Sequence, residues 1–255
     1  NDDVDTDKIV TFLDNISTQR VEPYITECYE ELAEYMNSYS QKMFMSREVI
    51  ADKGVWTAKK RYILNVYDNE GVRYSKPKLK VMGIEAVRSS TPSVCREEIY
   101  SIMEGILNTD EETTINSIQD FKKRFSKLQA EEISFPRSCN NINNYRDISS
   151  IYSKGTPVHV KGALLYNYYL KESGLDSRYQ LVREGDKIKF VYLKVPNPFK
   201  DKVVSFVNSL PKEFELNKYI DYDLQFEKSF LDPIKNVLDA IGWKHEKTAD
   251  LSSFF

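Results

Sequence analysis

The apolar residues of this 255-residue chain change their spacing near residue 88. Before that point, runs between residues 42 and 82 alternate apolar and polar side chains, which is the pattern of strands with one buried face. After it, apolar residues recur every three or four positions, as they do on the buried side of a helix. The sequence therefore predicts an α+β fold in two parts, with a sheet in the first part and mostly helices in the second.

The first part is expected to be an antiparallel sheet with flanking helices. A helical pattern covers residues 8–44, and strand-like alternation begins at residue 42. Two further strands, the last ending at Met82, are joined by Asp68-Asn69-Glu70-Gly71, a sequence typical of a hairpin turn. Pro77 in the last strand favours a sheet edge or a bulge.

The second part is expected to be mainly helical. It begins at Ser89-Ser90-Thr91-Pro92, where Thr91 is a suitable N-cap and Pro92 a suitable first helical residue. A capping box at residues 109–112 opens a second helix. The later features predicted from spacing and turn residues are a long loop at 134–157, a helix at 158–171, a small β-hairpin at 181–193 and a last helix from 226 to Gly242.

The rare residues exclude several chemistries. The nine glycines lie at least seven positions apart, so the chain has neither a Gly-x-Gly dinucleotide motif nor a phosphate-binding loop with two glycines. The two histidines and three cysteines lack the spacing of metal ligands, and scattered cysteines favour reduced thiols in the cytosol. No apolar run approaches the roughly 18 residues that a membrane helix needs. We therefore predict no metal ligand in this chain and no membrane partner.

Positive charge is concentrated in one stretch of an acidic chain. The net charge is −3, but residues 53–80 hold eight basic and two acidic residues, which gives a local net charge of +6. Such a block is typical of polyanion binding, and a solvated hairpin face is the alternative. Within it, Lys59-Lys60-Arg61-Tyr62 enters a strand, where alternation would place Lys60 and Tyr62 on one face. A cation beside a phenol suits the phosphates, sugars and minor-groove acceptors of nucleic acid.

Further motifs flank this string in a fixed order. They are Phe44-Met45-Ser46-Arg47-Glu48 before it, and Lys78-Leu79-Lys80-Val81-Met82-Gly83-Ile84-Glu85 and Arg88-Ser89-Ser90-Thr91-Pro92 after it. In this order and spacing, the set resembles family B DNA polymerases of the T-even phage replicative type, over essentially the whole chain. The resemblance implies that residues 1–88 form the C-terminal part of the palm, 89–245 the thumb and 246–255 a clamp-binding tail.

The same resemblance implies roles for individual residues. Lys60 and Tyr62 would contact the minor groove and backbone at the primer terminus, and Gly83 would let the main chain approach the primer strand. Glu48 would be an auxiliary catalytic carboxylate, although a glutamate at a strand end that pairs with Arg47 or a nearby lysine explains it equally well. The further backbone contacts would be Lys59, Arg61, Lys78, Lys80 and Arg88.

The resemblance also implies that the catalytic centre lies outside this chain. A polymerase of this kind holds two Mg²⁺ ions with aspartates. Asp5-Thr6-Asp7 is not that motif, because no apolar strand precedes it and a helical pattern follows it. The Mg²⁺ aspartates, the fingers and the exonuclease are expected in an N-terminal part, either the other half of a split polymerase or the rest of a longer chain. Alone, the chain should bind primer–template DNA without extending it, in the cytoplasm of a bacterial host.

The sequence is also compatible with two other functions and with two roles of the tail. A non-catalytic duplex-binding or sliding-clamp adaptor protein could use the same scaffold. A nuclease could use the acidic residues at positions 2–7 with Mg²⁺, although a disordered acidic terminus explains them more simply. In the tail, helical spacing puts Leu251, Phe254 and Phe255 on one face. These residues could pack on the thumb or, as the resemblance implies, bind the sliding clamp.

Overall fold

The computed structural model describes residues 5–84, 88–145 and 155–246. The chain forms two compact units, Asn1–Met82 and Gly83–Phe255. Among the residues described, each unit combines helices with one antiparallel three-stranded sheet. The predicted mixture of helices and antiparallel sheet is confirmed.

In the first unit the helices precede the three strands, whereas in the second unit helices and strands are interspersed along the chain. Those of the first unit are α1 (Thr6–Ile16), α2 (Glu22–Tyr35), β1 (Val49–Ala58), β2 (Arg61–Asn69) and β3 (Val72–Met82). Those described in the second unit are α3 (Ser93–Asn108), α4 (Glu111–Phe125), α5 (Ala130–Ile133), β4 (Phe135–Ser138), α6 (Val158–Glu172), β5 (Lys187–Tyr192), β6 (Val203–Phe206), α7 (Tyr222–Phe226) and α8 (Asp232–Ala240). Short 3₁₀ segments lie at Ile142–Tyr145, Lys212–Phe214 and Leu216–Tyr219.

The predicted β2–β3 hairpin is confirmed, and its turn is a two-residue loop. Glu70 and Gly71 have φ angles of +52° and +85°, as a type I′ turn requires. The Asp68 carboxylate accepts a hydrogen bond of 2.9 Å from the Gly71 amide and closes the loop. The sheet order is β1-β2-β3, so Pro77 lies on an edge strand. The register shift between Val66 and Asp68 also places it in a bulge.

The prediction of a helix through residue 44 and a strand from residue 42 is wrong. Helix α2 ends at Tyr35, because Asn37 takes a left-handed φ of +49°. The amides of Asn37 and Ser38 donate to the carbonyls of Glu34 and Ala33 at 3.0 and 2.9 Å, the bonds of a Schellman cap. The chain then has no regular structure until Val49, so Glu48 precedes the strand instead of lying in it.

Two prolines are accommodated within helices by the same device. A π-helical segment, Ser17–Val21, lies just before Pro23, and a second one, Glu227–Leu231, lies just before Pro233. Proline has no amide hydrogen and its ring crowds the carbonyl four residues earlier. An i→i+5 segment at that point removes the need for the missing bond and lets the helix continue. The last helix was predicted as one α-helix and is interrupted in this way.

The core of the second unit is aromatic and lies between α3, α4 and the α7–α8 run. Phe121 and Phe230 have ring centroids 4.7 Å apart, and those of Phe125 and Phe226 are 5.3 Å apart. All four rings are buried. Helix α4 begins one residue later than the predicted capping box places it, because Asp110 is the N-cap and accepts a 2.8 Å bond from the Thr113 amide.

The predicted hairpin at residues 181–193 is also wrong. Strand β5 pairs with β4 on one side and with β6 on the other. The backbone of Gly185 and Asp186 bonds instead to Cys139, directly after β4. Strand β4 lies in the stretch predicted as a loop, and it tolerates Pro136 because it is an edge strand.

Helix α6 is present as predicted, and it lies against β6. A Cβ atom at Gly162 would stand 2.6 Å from Ser205 Oγ and 2.8 Å from the Ser205 amide nitrogen. The glycine therefore allows helix and strand backbones to approach closely. Among the described residues, no helix has the length and apolar character needed to cross a bilayer.

Candidate nucleic-acid interface

The Lys59-Lys60 pair forms the turn between β1 and β2. Strand β1 ends at Ala58, β2 begins at Arg61, and Lys60 takes a left-handed φ of +64°. Strand alternation applies only to extended backbone, so the predicted common face of Lys60 and Tyr62 is wrong. A turn projects its side chains away from the end of the sheet, and Lys59, Lys60 and Arg61 are all exposed.

These three cations form no ion pair with any described side chain, as the ion pairs of the first unit involve other residues. Three positive groups at one turn repel one another and are stabilised by water or by an external anion. The turn is therefore a positively charged point at the end of the sheet, available to a phosphate-bearing ligand.

Two aromatic rings lie beside the turn on one face of the sheet. Trp56 is opposite Tyr62 across the β1–β2 pair, and their ring centroids are 6.3 Å apart. Trp56 is 64% exposed, which is unusual for so large an apolar group. Gly54 makes room for it, because a Cβ there would overlap Leu64 and lie 2.9 Å from the Trp56 ring. An exposed ring next to lysines is suited to stacking on sugars or bases.

Trp56 was not among the residues predicted from the sequence to belong to this site. The signal was present, since a tryptophan stands three positions before a Lys-Lys pair. It could not be used before the turn was placed at Lys59-Lys60, because only that placement makes Trp56 the cross-strand neighbour of Tyr62.

The lysines of the edge strand share that face but differ in their environment. Lys80 is opposite Leu64 and Lys78 is opposite Val66, so both follow Tyr62 along the sheet. Lys80 Nζ forms an ion pair with Glu48 and a 2.9 Å hydrogen bond to Asn69. Lys78 Nζ lies 4.2 Å from the centroid of the Tyr74 ring. Of the two predicted contacts on this strand, Lys78 forms no ion pair with a carboxylate among the described residues, whereas Lys80 does.

Glu48 therefore has the strand-end ion pair that was the alternative to a catalytic role. It also lines a shallow acidic cleft whose other carboxylates come from Asp14, Glu22 and Glu70. Arg47, the neighbouring residue, also lines this cleft and forms ion pairs with Asp14 at 2.8 Å and Asp68 at 2.7 Å.

Asp68 is a buried carboxylate of the first unit that joins two arginines. Its side chain is 1% exposed and pairs with Arg47 and, at 3.3 Å, with Arg73. Burial acts to raise its pKa, but hydrogen bonds from Arg47, the Gly71 amide and Arg73 outweigh burial, and the pKa is lowered. Asp68 is thus an ionised structural group, and both arginines are held by ion pairs.

The remaining predicted residues belong to other parts of the chain. Gly83, which has a φ of +67°, and Arg88 belong to the second unit. Leu251, Phe254 and Phe255 lie outside the described residues, as do Asp2 and Asp3. Asp5 is the N-cap of α1 and accepts from the Lys8 amide, while Asp7 pairs with Arg73 at 2.9 Å.

No protein-family model matches the chain, but two curated proteins do. It is 36% identical over 264 residues to the DNA-directed DNA polymerase of Escherichia phage RB69, covering 98% of this chain. It is 33% identical over 259 residues to the DNA-directed DNA polymerase of Enterobacteria phage T4, covering 97% of this chain. This chain is similar to part of a T-even phage DNA polymerase. The predicted resemblance is confirmed, and the chain spans 29% and 28% of the two relatives' lengths.

The similarity to T-even DNA polymerases raises the question of Mg²⁺. Within the described ranges, no group of three or more histidine, cysteine or acidic side chains is placed to hold a metal ion. Asp68 is already ion-paired with Arg47 and Arg73, and Glu48 is ion-paired with Lys80. The described part of this chain therefore does not fit a Mg²⁺ site by itself.

Proposed function

We propose that this chain is the C-terminal palm and thumb portion of a family B DNA polymerase and that it grips primer–template duplex. The observation that carries the proposal is the exposed Lys59-Lys60 turn beside the Trp56–Tyr62 ring pair. The similarity to the T4 and RB69 proteins supports it, because both are named DNA-directed DNA polymerases.

The proposed contacts are mostly electrostatic and independent of base sequence. Lys59, Lys60 and Arg61 would neutralise phosphates, with Lys60 also reaching minor-groove acceptors near the primer terminus. Tyr62, and Trp56 beside it, would pack on sugars. Lys78 would extend the contact along β3, and Lys80 would contribute less because Glu48 already offsets its charge. Gly83 and Arg88 are proposed as further contacts to the primer backbone.

Nucleotidyl transfer would take place only in the assembled polymerase. Aspartates outside this chain would hold most of the Mg²⁺ coordination, with Glu48 as an auxiliary carboxylate. An N-terminal polymerase and exonuclease part would therefore be an obligatory partner. A sliding clamp would bind Leu251, Phe254 and Phe255, and the assembly would act in the cytoplasm of the bacterial host.

The test compares charge removal at the turn with charge removal elsewhere. We would titrate a labelled primer–template with the chain and with a Lys59→Ala/Lys60→Gly variant, at several salt concentrations. Glycine is chosen at position 60 because the turn needs a positive φ. The control is Lys235→Ala, which removes an exposed cation from α8. We expect the turn variant to bind tenfold or more weakly, with a salt slope reduced by about 0.9 for each lost phosphate contact.

Equal affinity and salt slope for the turn variant and the control would refute duplex binding by the Lys59-Lys60 turn. A second measurement addresses catalysis. The chain alone, with Mg²⁺ and nucleotides, should extend no primer, whereas a mixture with the polypeptide that matches the rest of the relatives should do so. Tight duplex binding combined with an inactive mixture would instead favour the non-catalytic duplex-binding or clamp-adaptor protein.

A further inference from the structure

Helix α1 turns its polar side toward its own unit. Asp7, Thr11 and Asp14 lie three or four positions apart and so share one face of the helix. Arg73 donates to the Asp7 carboxylate at 2.9 Å and to the Thr11 hydroxyl at 2.8 Å. Arg47 Nε donates to the Asp14 carboxylate at 2.9 Å. These bonds fix the rotation of α1 about its axis.

The opposite side of the helix is apolar and faces solvent. In α1 only Val10 is buried, and α2 has no buried residue. An amphipathic helix on a protein surface normally has the reverse arrangement, with the apolar side inward. We use the term apolar stripe for six side chains that are each 43–67% exposed, namely Ile9, Phe12, Leu13, Val21, Tyr24 and Leu32.

The apolar stripe continues through the π-helical segment. Val21 of the apolar stripe follows the half-buried Ile16 by five positions, which matches the i→i+5 spacing of that segment. Exposed aromatic rings follow at Tyr35, the last residue of α2, and at Tyr39 and Phe44 in the irregular chain beyond it, the least exposed of them at 87%. An apolar surface of this continuity is unusual on a free protein and typical of an interaction site.

Charge indicates what kind of surface would cover the apolar stripe. Residues 22–35, which form α2, contain five glutamates and no lysine or arginine. A second copy of the chain would bring two acidic helices together and repel. A polypeptide with an apolar groove and basic margins would complement both the apolar stripe and the acidic residues beside it.

We propose that the apolar stripe is the docking surface for the polypeptide that corresponds to the part of a T-even DNA polymerase outside this chain. The inference rests on the proposed function, and the relatives supply the missing length, because this chain spans 29% and 28% of them. Rotating α1 to bury its apolar side would break the bonds to Arg73 and Arg47. Covering the apolar stripe therefore requires chain from outside the first unit.

The test uses that polypeptide as the probe. The sequence of the same genome that matches the remaining length of the T4 and RB69 polymerases would be expressed as a separate chain. Its affinity for the 255-residue chain would be measured by calorimetry and by sedimentation. The variant is Phe12→Ser/Leu13→Ser, and the control is Val72→Ser at the β2–β3 turn, where the valine is 58% exposed but off the apolar stripe.

We expect the Phe12→Ser/Leu13→Ser variant to bind the probe at least about tenfold more weakly, since truncating anchor side chains has effects of that size. Its circular dichroism and its duplex binding should match those of the unchanged chain. Val72→Ser should bind the probe normally. Equal probe affinity for variant and control would overturn the inference, as would a dimer of the chain that the Phe12→Ser/Leu13→Ser variant abolishes without weakening probe binding.

The two proposals can fail separately. If the chain binds the probe through the apolar stripe but does not bind duplex, the docking surface stands and the duplex grip fails. If the chain binds duplex through the Lys59-Lys60 turn but the probe does not bind, the grip stands and the docking surface is wrong.

Discussion

Removing the charge of Asp68 should destabilise the first unit, because this buried carboxylate holds two arginines. In Asp68→Asn, Arg47 would keep only its ion pair with Asp14, and its side chain is 13% exposed. Removing one partner of a buried ion pair usually costs about 3–5 kcal/mol, through the unpaired charge that remains. Here both arginines keep another carboxylate and asparagine still offers an acceptor to the Gly71 amide. We therefore expect a loss of about 2–3 kcal/mol, at or below the lower end of that range.

The effect should depend on pH in a defined direction. The folded-state pKa of Asp68 is lower than its unfolded value, so its contribution is fully present above the unfolded pKa, which is about 4. It is lost as pH falls through the folded pKa. The stability difference between the unchanged chain and Asp68→Asn should be constant from pH 5 to 8 and should shrink below about pH 4.

Tryptophan fluorescence can follow the first unit alone. The chain has two tryptophans, Trp56 in the first unit and Trp243 in the second. In a Trp243→Phe background, urea unfolding reported by Trp56 would give the stability of the first unit. The control, Asp7→Asn, removes an exposed partner of Arg73 and should change little. If Asp68→Asn lowers the free energy of unfolding no more than Asp7→Asn does, the ion pairs of Asp68 with Arg47 and Arg73 do not stabilise the first unit as proposed.

Two further predictions concern the second unit and the thiols. Gly162→Ala should destabilise the second unit by about 1–3 kcal/mol in urea unfolding, because the new Cβ would overlap β6. The control Gly105→Ala, whose Cβ would lie 3.7 Å from its nearest neighbour, should be neutral or stabilising. Burial raises the pKa of the Cys95 and Cys139 thiols to about 11. A thiol reagent at pH 8 should therefore label the partly exposed Cys28 first, and equal rates at all three cysteines would contradict this.

Local signals in the sequence predicted the elements that depend on local chemistry. Gly71 marks the type I′ turn, and Gly242 ends the last helix with a φ of +74°. The Lys59-Lys60 turn could not be recognised, because neither residue is among those that favour a left-handed φ. Pairing of β4 with β5 joins residues about fifty positions apart, and spacing within a short window carries no information about it.

The candidate site was predicted in its residues but not in its geometry. The basic block and the ordered motifs were enough to indicate the T-even polymerase resemblance. The sequence offered a pair between Glu48 and Arg47 or a nearby lysine as one alternative, and the partner is Lys80. It did not indicate that Arg47 and Arg73 would converge on Asp68. Those pairings depend on side chains that the fold brings together from distant parts of the first unit.

The π-helical segment at Ser17–Val21 makes the direction of α2 depend on chain length at that point. Each residue of an α-helix advances the side-chain direction by about 100°. Deleting a single residue from this segment would leave α1 bound to its arginines but turn every side chain of α2 through roughly that angle. A substitution in α2 therefore changes one side chain, whereas an insertion or deletion in the π-helical segment changes the direction of every side chain of α2.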